Sequence, residues 1–205
     1  MFLVGIAGGS GSGKTTFGYK VKKYSESSQI EILNMDSYYS KTRSDSIMTS
    51  KGRPNFDHPD AFDWPLLREH LTSLKNKNPI SVPVYDFKTS SRTSEIMPLG
   101  PVSIVIFEGI FSLYDHQIRE LLDIKCFLQV DSDIRFTRRL HRDIQERGRS
   151  LDSVIEQYYD TVRPMYEKFL APQKQFADFI VGEETDVAAQ ILASRLKEVL
   201  LSNNE

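Results

Sequence analysis

The sequence predicts an α/β fold: a mainly parallel five-stranded sheet flanked by helices, with an inserted β-hairpin and loop segment and an arginine-rich lid. Three observations predict it. Short apolar runs suited to buried parallel strands recur at Phe2–Ile6, Ile30–Leu33, Ser103–Phe107, Cys126–Val130 and Phe179–Val181. Segments with helical spacing separate most of them. A glycine-rich turn joins the first run to the first helical segment.

Taken in chain order, Phe17, Val21 and Tyr24 fall on one face of a helix behind the first strand. Leu67, Leu71 and Leu74 do the same after Pro65, as do Phe136, Leu140 and Ile144 after Asp131, a suitable cap. Val187, Ile191 and Val199 mark a C-terminal helix. Seven of the nine prolines lie between Pro54 and Pro101, so residues 50–101 read as an insertion that carries acceptor contacts. Within it ISVPVYDF and TSEIM suit a hairpin, with Pro83 confining its strand to an edge or a bulge. Pro164 should kink or split the helical pattern from Leu151 to Leu170. With no repeat or linker in 205 residues, a single domain over residues 1–205 is expected.

Composition narrows the partners. With 26 basic and 28 acidic residues the formal charge is −2, which gives no electrostatic reason to expect nucleic acid or an anionic membrane as partner. Cys126 is the sole cysteine, so no intramolecular disulfide can form. The chain runs from Met1 directly into a strand-like segment and has no apolar run of about 18 residues, so a soluble, cytoplasmic protein is expected.

The chemistry begins at GGSGSGKT, which fits G-x-x-x-x-G-K-[ST] between a strand and an amphipathic helix, the arrangement of a P-loop NTPase. Gly8, Gly9, Ser10, Gly11, Ser12, Gly13, Lys14, Thr15 and Thr16 are therefore expected to cradle the phosphates of ATP (or GTP). The glycines let the backbone turn its N–H groups inward, and the following helix adds the positive end of its dipole. Lys14 should reach the β- and γ-phosphates, and the Thr15 hydroxyl should ligate Mg2+.

A GTP-operated switch or a motor-type ATPase shares this loop. The chain has no D-x-x-G, and Asn76, Lys77, Asn78 and Pro79 lack the aspartate that reads guanine; the run Ser103–Phe107 ends in Glu108 and Gly109 where hydrolytic ATPases carry aspartate. A kinase fits better. Asp36 and Glu108 each follow a predicted strand, at the sheet edge where open α/β folds bind ligands. Either can hold magnesium through water or take a proton from an attacking hydroxyl; each also suits an ordinary cap or loop carboxylate. Arg135, Arg139 and Arg142 recur at helical spacing, and Arg147 and Arg149 flank Gly148, so residues 135–150 form a candidate lid that brings cations to a transferring phosphoryl group. A solvated basic helix face is the plainer alternative.

The acceptor should come from NFDHPDAFDW and PVYDF. Asp57, Asp60 and Asp63 would repel a phosphorylated acceptor, which favours a neutral polyol. Tyr39, Phe56, Tyr85 and Phe87 can wall a flat base, and Asp57 can accept from vicinal hydroxyls. Core packing is the ordinary role of such aromatics.

GIAGGSGSGKTT, MDSYY, NFDHPDAFDW, PVYDF, FEGIF, RRLHRDIQERGR and QYYDTVRPMYEKF, in that order, resemble the uridine kinase (uridine–cytidine kinase) family. The resemblance implies transfer of the ATP γ-phosphate to the 5′-hydroxyl of uridine or cytidine in pyrimidine salvage. It implies Asp36 as general base, Lys14, Arg142 and Arg147 on the phosphates, and Glu108 in the magnesium site with Thr15 and Asp36. Tyr39, Phe56, Asp57, Tyr85, Phe87, Arg139, Arg149 and Gln157 match nucleoside-binding positions. A homotetramer inhibited by pyrimidine triphosphates is implied likewise. The chain departs from the family at Ser90, where many members carry a histidine that reads the base, and weaker discrimination between uracil and cytosine is expected. A related kinase of the phosphoribulokinase type and a nucleotide-binding regulatory protein without turnover are the alternatives.

Overall fold

A computed structural model describes residues 1–40, 48–49, 51–87 and 89–202. The expected start of the insertion at residue 50 and Lys88 of YDFKTSSR lie outside the described residues. Strand β1 (Phe2–Gly8) leads through the glycine-rich loop into α1 (Lys14–Ser25), followed by β2 (Ile30–Asn34) and a 3-10 turn, Met35–Tyr38. Then come α2 (Trp64–Lys75), β3 (Ile80–Asp86), β4 (Ser91–Leu99), β5 (Ile104–Glu108), α3 (His116–Leu121) and β6 (Ile124–Leu128). Helices α4 (Ser132–Gln145) and α5 (Leu151–Gln157), a short α6 (Arg163–Met165), β7 (Phe179–Val181) and α7 (Asp186–Ser202) complete the order.

Strands β2-β5-β1-β6-β7 form one sheet in that order, with every pairing parallel. Alternation along the strands divides the core. Leu3 and Ala7 of β1 join α2 and α3 residues such as Leu67, Leu71 and Ile118, while Val4 and Ile6 join Phe17 and Val21 of α1 and Leu192 and Leu196 of α7. Pairing brings Ile6 beside Glu108 and Asn34 beside Glu108, so the carboxyl ends of β1, β2 and β5 meet at one edge. Gly109 is required there, because a Cβ on it would lie 2.3 Å from the Met35 Cβ.

The structure moves several sequence expectations. The Cys126–Val130 run becomes β6 two residues earlier, because its register with β1 pairs Val4 with Ile124 and Gly8 with Leu128. In α7 Val187 and Ile191 are exposed, and Ala189, Leu192, Ala193, Leu196 and Val199 face inward: small residues let this helix approach α1. Helix α4 buries Arg135, Arg139 and Asp143 while Ile144 is exposed, which reverses the usual amphipathic sense. The hairpin β3–β4 forms a two-stranded sheet with a register shift between Pro83 and Tyr85, in keeping with the edge or bulge expected of the proline. Pro164 does not split its helix. Two π turns, Tyr158–Val162 and Tyr166–Leu170, flank α6 and carry the chain past the missing N–H in continuous helical geometry.

Candidate active site

The site lies at the carboxyl edge of the sheet, in a cavity of about 460 Å³. Gly11 and Gly13 of the glycine-rich loop take φ of 79° and 88°, the left-handed region. Gly11 is also steric: a Cβ there would stand 2.2 Å from the backbone oxygen of Arg135. Gly13 is the N-cap of α1 and offers no side chain to cap it, so the first N–H groups of the helix remain for an anion. Ser10, Gly11, Lys14 and Thr15 line the cavity. Gly8, Gly9, Ser12 and Gly13 shape the loop behind them, and Thr16 is exposed and outside the lining.

Lys14 is buried, with Nζ donating to the Gly9 carbonyl at 3.0 Å. Burial lowers its pKa, against the opposing pull of Glu108 and Asp36. The Thr15 hydroxyl donates to Glu108 Oε1 at 2.7 Å, and the same oxygen accepts from Asn34 Nδ2 at 2.8 Å. Asn34 also accepts the Asp36 N–H on Oδ1 at 2.8 Å, so one amide ties both acidic residues together. The sequence reading missed Asn34. An asparagine two residues before an aspartate after a strand is a capping signal, and it gave the only hint.

Burial raises the pKa of both carboxyls. For Asp36, Lys14, Arg147 and Arg142 oppose the rise, and for Glu108, Lys14 does so first. A magnesium site fits this donor set. Because the Thr15 hydroxyl gives its proton to Glu108, its oxygen lone pairs stay available to a hard cation, with Asp36 and Glu108 as oxygen partners. Among the described residues no cluster of three or more His, Cys, Asp or Glu side chains is placed to hold a metal ion.

A cluster of aromatic rings lines part of the cavity. Tyr39 stacks on Phe62 at 4.4 Å between centroids and meets Phe56 and Tyr85 at 5.5 and 5.0 Å; Phe87 packs edge-on against Tyr85 at 5.2 Å. Tyr39, Phe56, Asp57, Tyr85, Phe87 and Ser90 all line the cavity, Ser90 with φ of 52°. Asp57 is buried and accepts from the Thr161 hydroxyl at 3.0 Å, a contact delivered by the π turn Tyr158–Val162 and absent from the sequence reading. The three-aspartate charge argument needs correction. Asp60 is exposed beside His58, and Asp63 caps α2 and pairs with Arg92, so Asp57 alone of the three reaches the cavity.

Arg139, Arg142, Arg147, Arg149 and Gln157 line the same cavity. Arg139 donates to Ser10 Oγ and to Gln157 Oε1, both at 2.9 Å, and Arg149 also donates to Gln157 Oε1. Arg147 lies 4.3 Å from the centre of the Phe87 ring. Arg135 does not join them. It stacks on Tyr166 at 3.9 Å and donates to the Val130 carbonyl, bracing the glycine-rich loop from behind.

A family model described as Phosphoribulokinase / Uridine kinase family matches residues 3–189. The chain belongs to this family. It is 48% identical to a uridine kinase of Lactobacillus helveticus over 97% of this chain and 95% of that protein. A uridine kinase of Deinococcus deserti is 43% identical over 97% of each. Among solved structures, phosphoribulokinase from Rhodobacter spheroides aligns with TM-score 0.63 at 13% identity over 88% of this chain and 69% of that one. D-glycerate 3-kinase from Cryptococcus neoformans aligns with TM-score 0.59 at 22% identity over 90% and 87%. At these identities the structural likeness concerns the fold, a parallel sheet flanked by helices.

Proposed function

We propose that the protein transfers the γ-phosphoryl group of ATP to the 5′-hydroxyl of uridine or cytidine, giving the monophosphate. The observation that carries this reading is one cavity with a phosphate loop at one end, an aromatic wall with Asp57 at the other, and Asp36 on its lining. The family relatives named uridine kinase support the nucleoside as acceptor. Phosphoryl transfer needs little covalent help from a protein; it needs alignment and charge.

Each residue then has a task. Asp57, held by Thr161, accepts from the ribose hydroxyls, while Tyr39, Phe56, Tyr85 and Phe87 enclose the base. Asp36 takes the proton of the 5′-hydroxyl as the alcohol attacks. Lys14 exchanges the Gly9 carbonyl for phosphate oxygens, and Arg142 and Arg147 meet charge on the transferring group. Thr15, Glu108 and Asp36 would hold magnesium, which would supply positive charge to the nucleotide phosphates.

Pyrimidine salvage, a cytoplasmic location and a homotetramer accompany this reading as proposals. Ile96 and Met97, exposed on β4, supply apolar surface for self-association. No helix among the described residues is long and apolar enough to cross a membrane.

Measuring ADP formation across uridine, cytidine, purine nucleosides and sugar phosphates tests the reading. Turnover with uridine and cytidine is expected, with kcat/KM for the two within roughly tenfold because Ser90 reads the base weakly. Turnover confined to a sugar phosphate would point to the phosphoribulokinase side of the family, and ATP binding without turnover to a regulatory protein.

A further inference from the structure

Behind the arginine wall lies a carboxylate that the proposed mechanism does not use. Asp143 has no exposed side-chain surface and does not line the cavity. Four guanidinium groups converge on it. Arg142 gives Nε and Nη2 to Oδ1 at 2.9 and 2.8 Å, and Arg147 Nη1 stands 3.4 Å from the same oxygen. Arg139 Nε lies 3.4 Å and Arg149 Nη1 3.6 Å from Oδ2. All four arginines line the cavity on their other side.

A carboxylate kept only for stability is well served by one bidentate arginine. Asp143 has instead four partners, none of which occupies both its oxygens. Its Oδ2 makes no hydrogen bond, and neither does the buried Nε of Arg139 facing it. Four cations around one anion leave three positive charges uncompensated within this group, beside the phosphate loop. Without the central charge the guanidiniums would repel one another at short range in a partly desolvated setting. Burial would by itself raise the Asp143 pKa, but Arg139, Arg142 and Arg147 together hold it below the ordinary carboxylate range.

We infer that Asp143 is a positioning residue: it lies outside the cavity lining and fixes Arg139, Arg142, Arg147 and Arg149 as one array along the cavity, which sets Arg142 and Arg147 on the transferring phosphoryl group. The inference rests on the kinase reading of the cavity. Contacts to one shared carboxylate hold the four long side chains together, so their reorientation is not left to the moment of transfer. The unpaired Oδ2 and Arg139 Nε give it slack, because a small rotation of Arg139 closes that pair as its other nitrogens shift from Ser10 or Gln157.

Asp143→Asn removes the charge and retains the Oδ1 acceptor. The expected result is a kcat lower by roughly 100-fold, nucleoside KM within about threefold of wild type, and ATP binding, measured directly, equal or tighter. Tighter or equal ATP binding with lost turnover separates aim from scaffold, since a merely structural role would weaken both together. A kcat within about threefold, or kcat and ATP affinity falling in parallel, overturns the inference. Should the asparagine variant not fold, Asp143→Glu keeps the charge but displaces it, and about tenfold loss of kcat with ATP binding intact is expected; unchanged kcat would contradict it. Wild-type protein that phosphorylates no nucleoside would sink the functional reading and with it the target given to the array, whereas an active wild type with unchanged Asp143→Asn turnover would sink the inference alone.

Discussion

Thr161→Val isolates one contact of the proposed acceptor pocket. The threonine is almost wholly buried, and its hydroxyl donates to Asp57 Oδ2 at 3.0 Å; the Gln157 carbonyl lies 3.1 Å away, but the single proton goes to the charged acceptor. Valine has nearly the same shape and no donor. A hydrogen bond to a charged group contributes about 1.5–3 kcal/mol, and the lower end applies because Asp57 borders a cavity that admits water. About 1.5–2 kcal/mol corresponds to a rise of roughly 10- to 30-fold in the KM for uridine. The ATP site is untouched, so KM for ATP should stay within about twofold, and Thr161→Ser, which keeps the hydroxyl, should restore most of the uridine affinity. Initial-rate kinetics on the three proteins provide the assay. An unchanged uridine KM in the valine variant would refute the role given to Asp57, to its buried partner, or to both.

Three further outcomes follow from the site. Gly11→Ala should bind ATP at least about tenfold more weakly by calorimetry, because the left-handed backbone costs about 1–2 kcal/mol and the Cβ meets the Arg135 carbonyl oxygen; wild-type affinity would show that the loop tolerates the shift. The Asp36 carboxyl, raised by burial, must be ionised to accept a proton, so kcat/KM should fall with falling pH through an acid limb above the ordinary carboxylate range near about 4. A limb at or below that range would contradict its role. The same shift has a stability consequence. A carboxyl whose folded pKa is raised contributes stability below its unfolded pKa and loses it as pH rises through the folded value, so Asp36→Asn should raise the Tm of the ligand-free protein at neutral pH.

What could be read from the sequence was whatever depends on local pattern. A run of apolar residues ending in glycines specifies both β1 and the phosphate loop; Asp36 declares itself by following β2, and Glu108 by closing an apolar run, the structure making it the last residue of β5. Thr161 could not be found that way: it meets Asp57 from 104 positions away, on a π turn that sequence periodicity does not mark. Asp143 carries no sequence signal that sets it apart from the other charges of α4. Its part appears only because α4 turns its charged side inward, against the rule that apolar residues point to the core, and that reversal makes sense only once the cavity beside it is known. In α7 apolar residues occur on more than one face, so the buried stripe was decided by packing of Ala189 and Ala193, not by hydrophobicity.

The most direct measurement is turnover and ATP binding of Asp36→Asn at saturating magnesium, uridine and ATP. Loss of about 10²–10⁴ in kcat, with ATP affinity within about threefold of wild type, is the predicted result. Near-normal turnover would mean that the proton of the attacking alcohol leaves by another route, and the placement of base, loop and arginines around one cavity would then have been read wrongly.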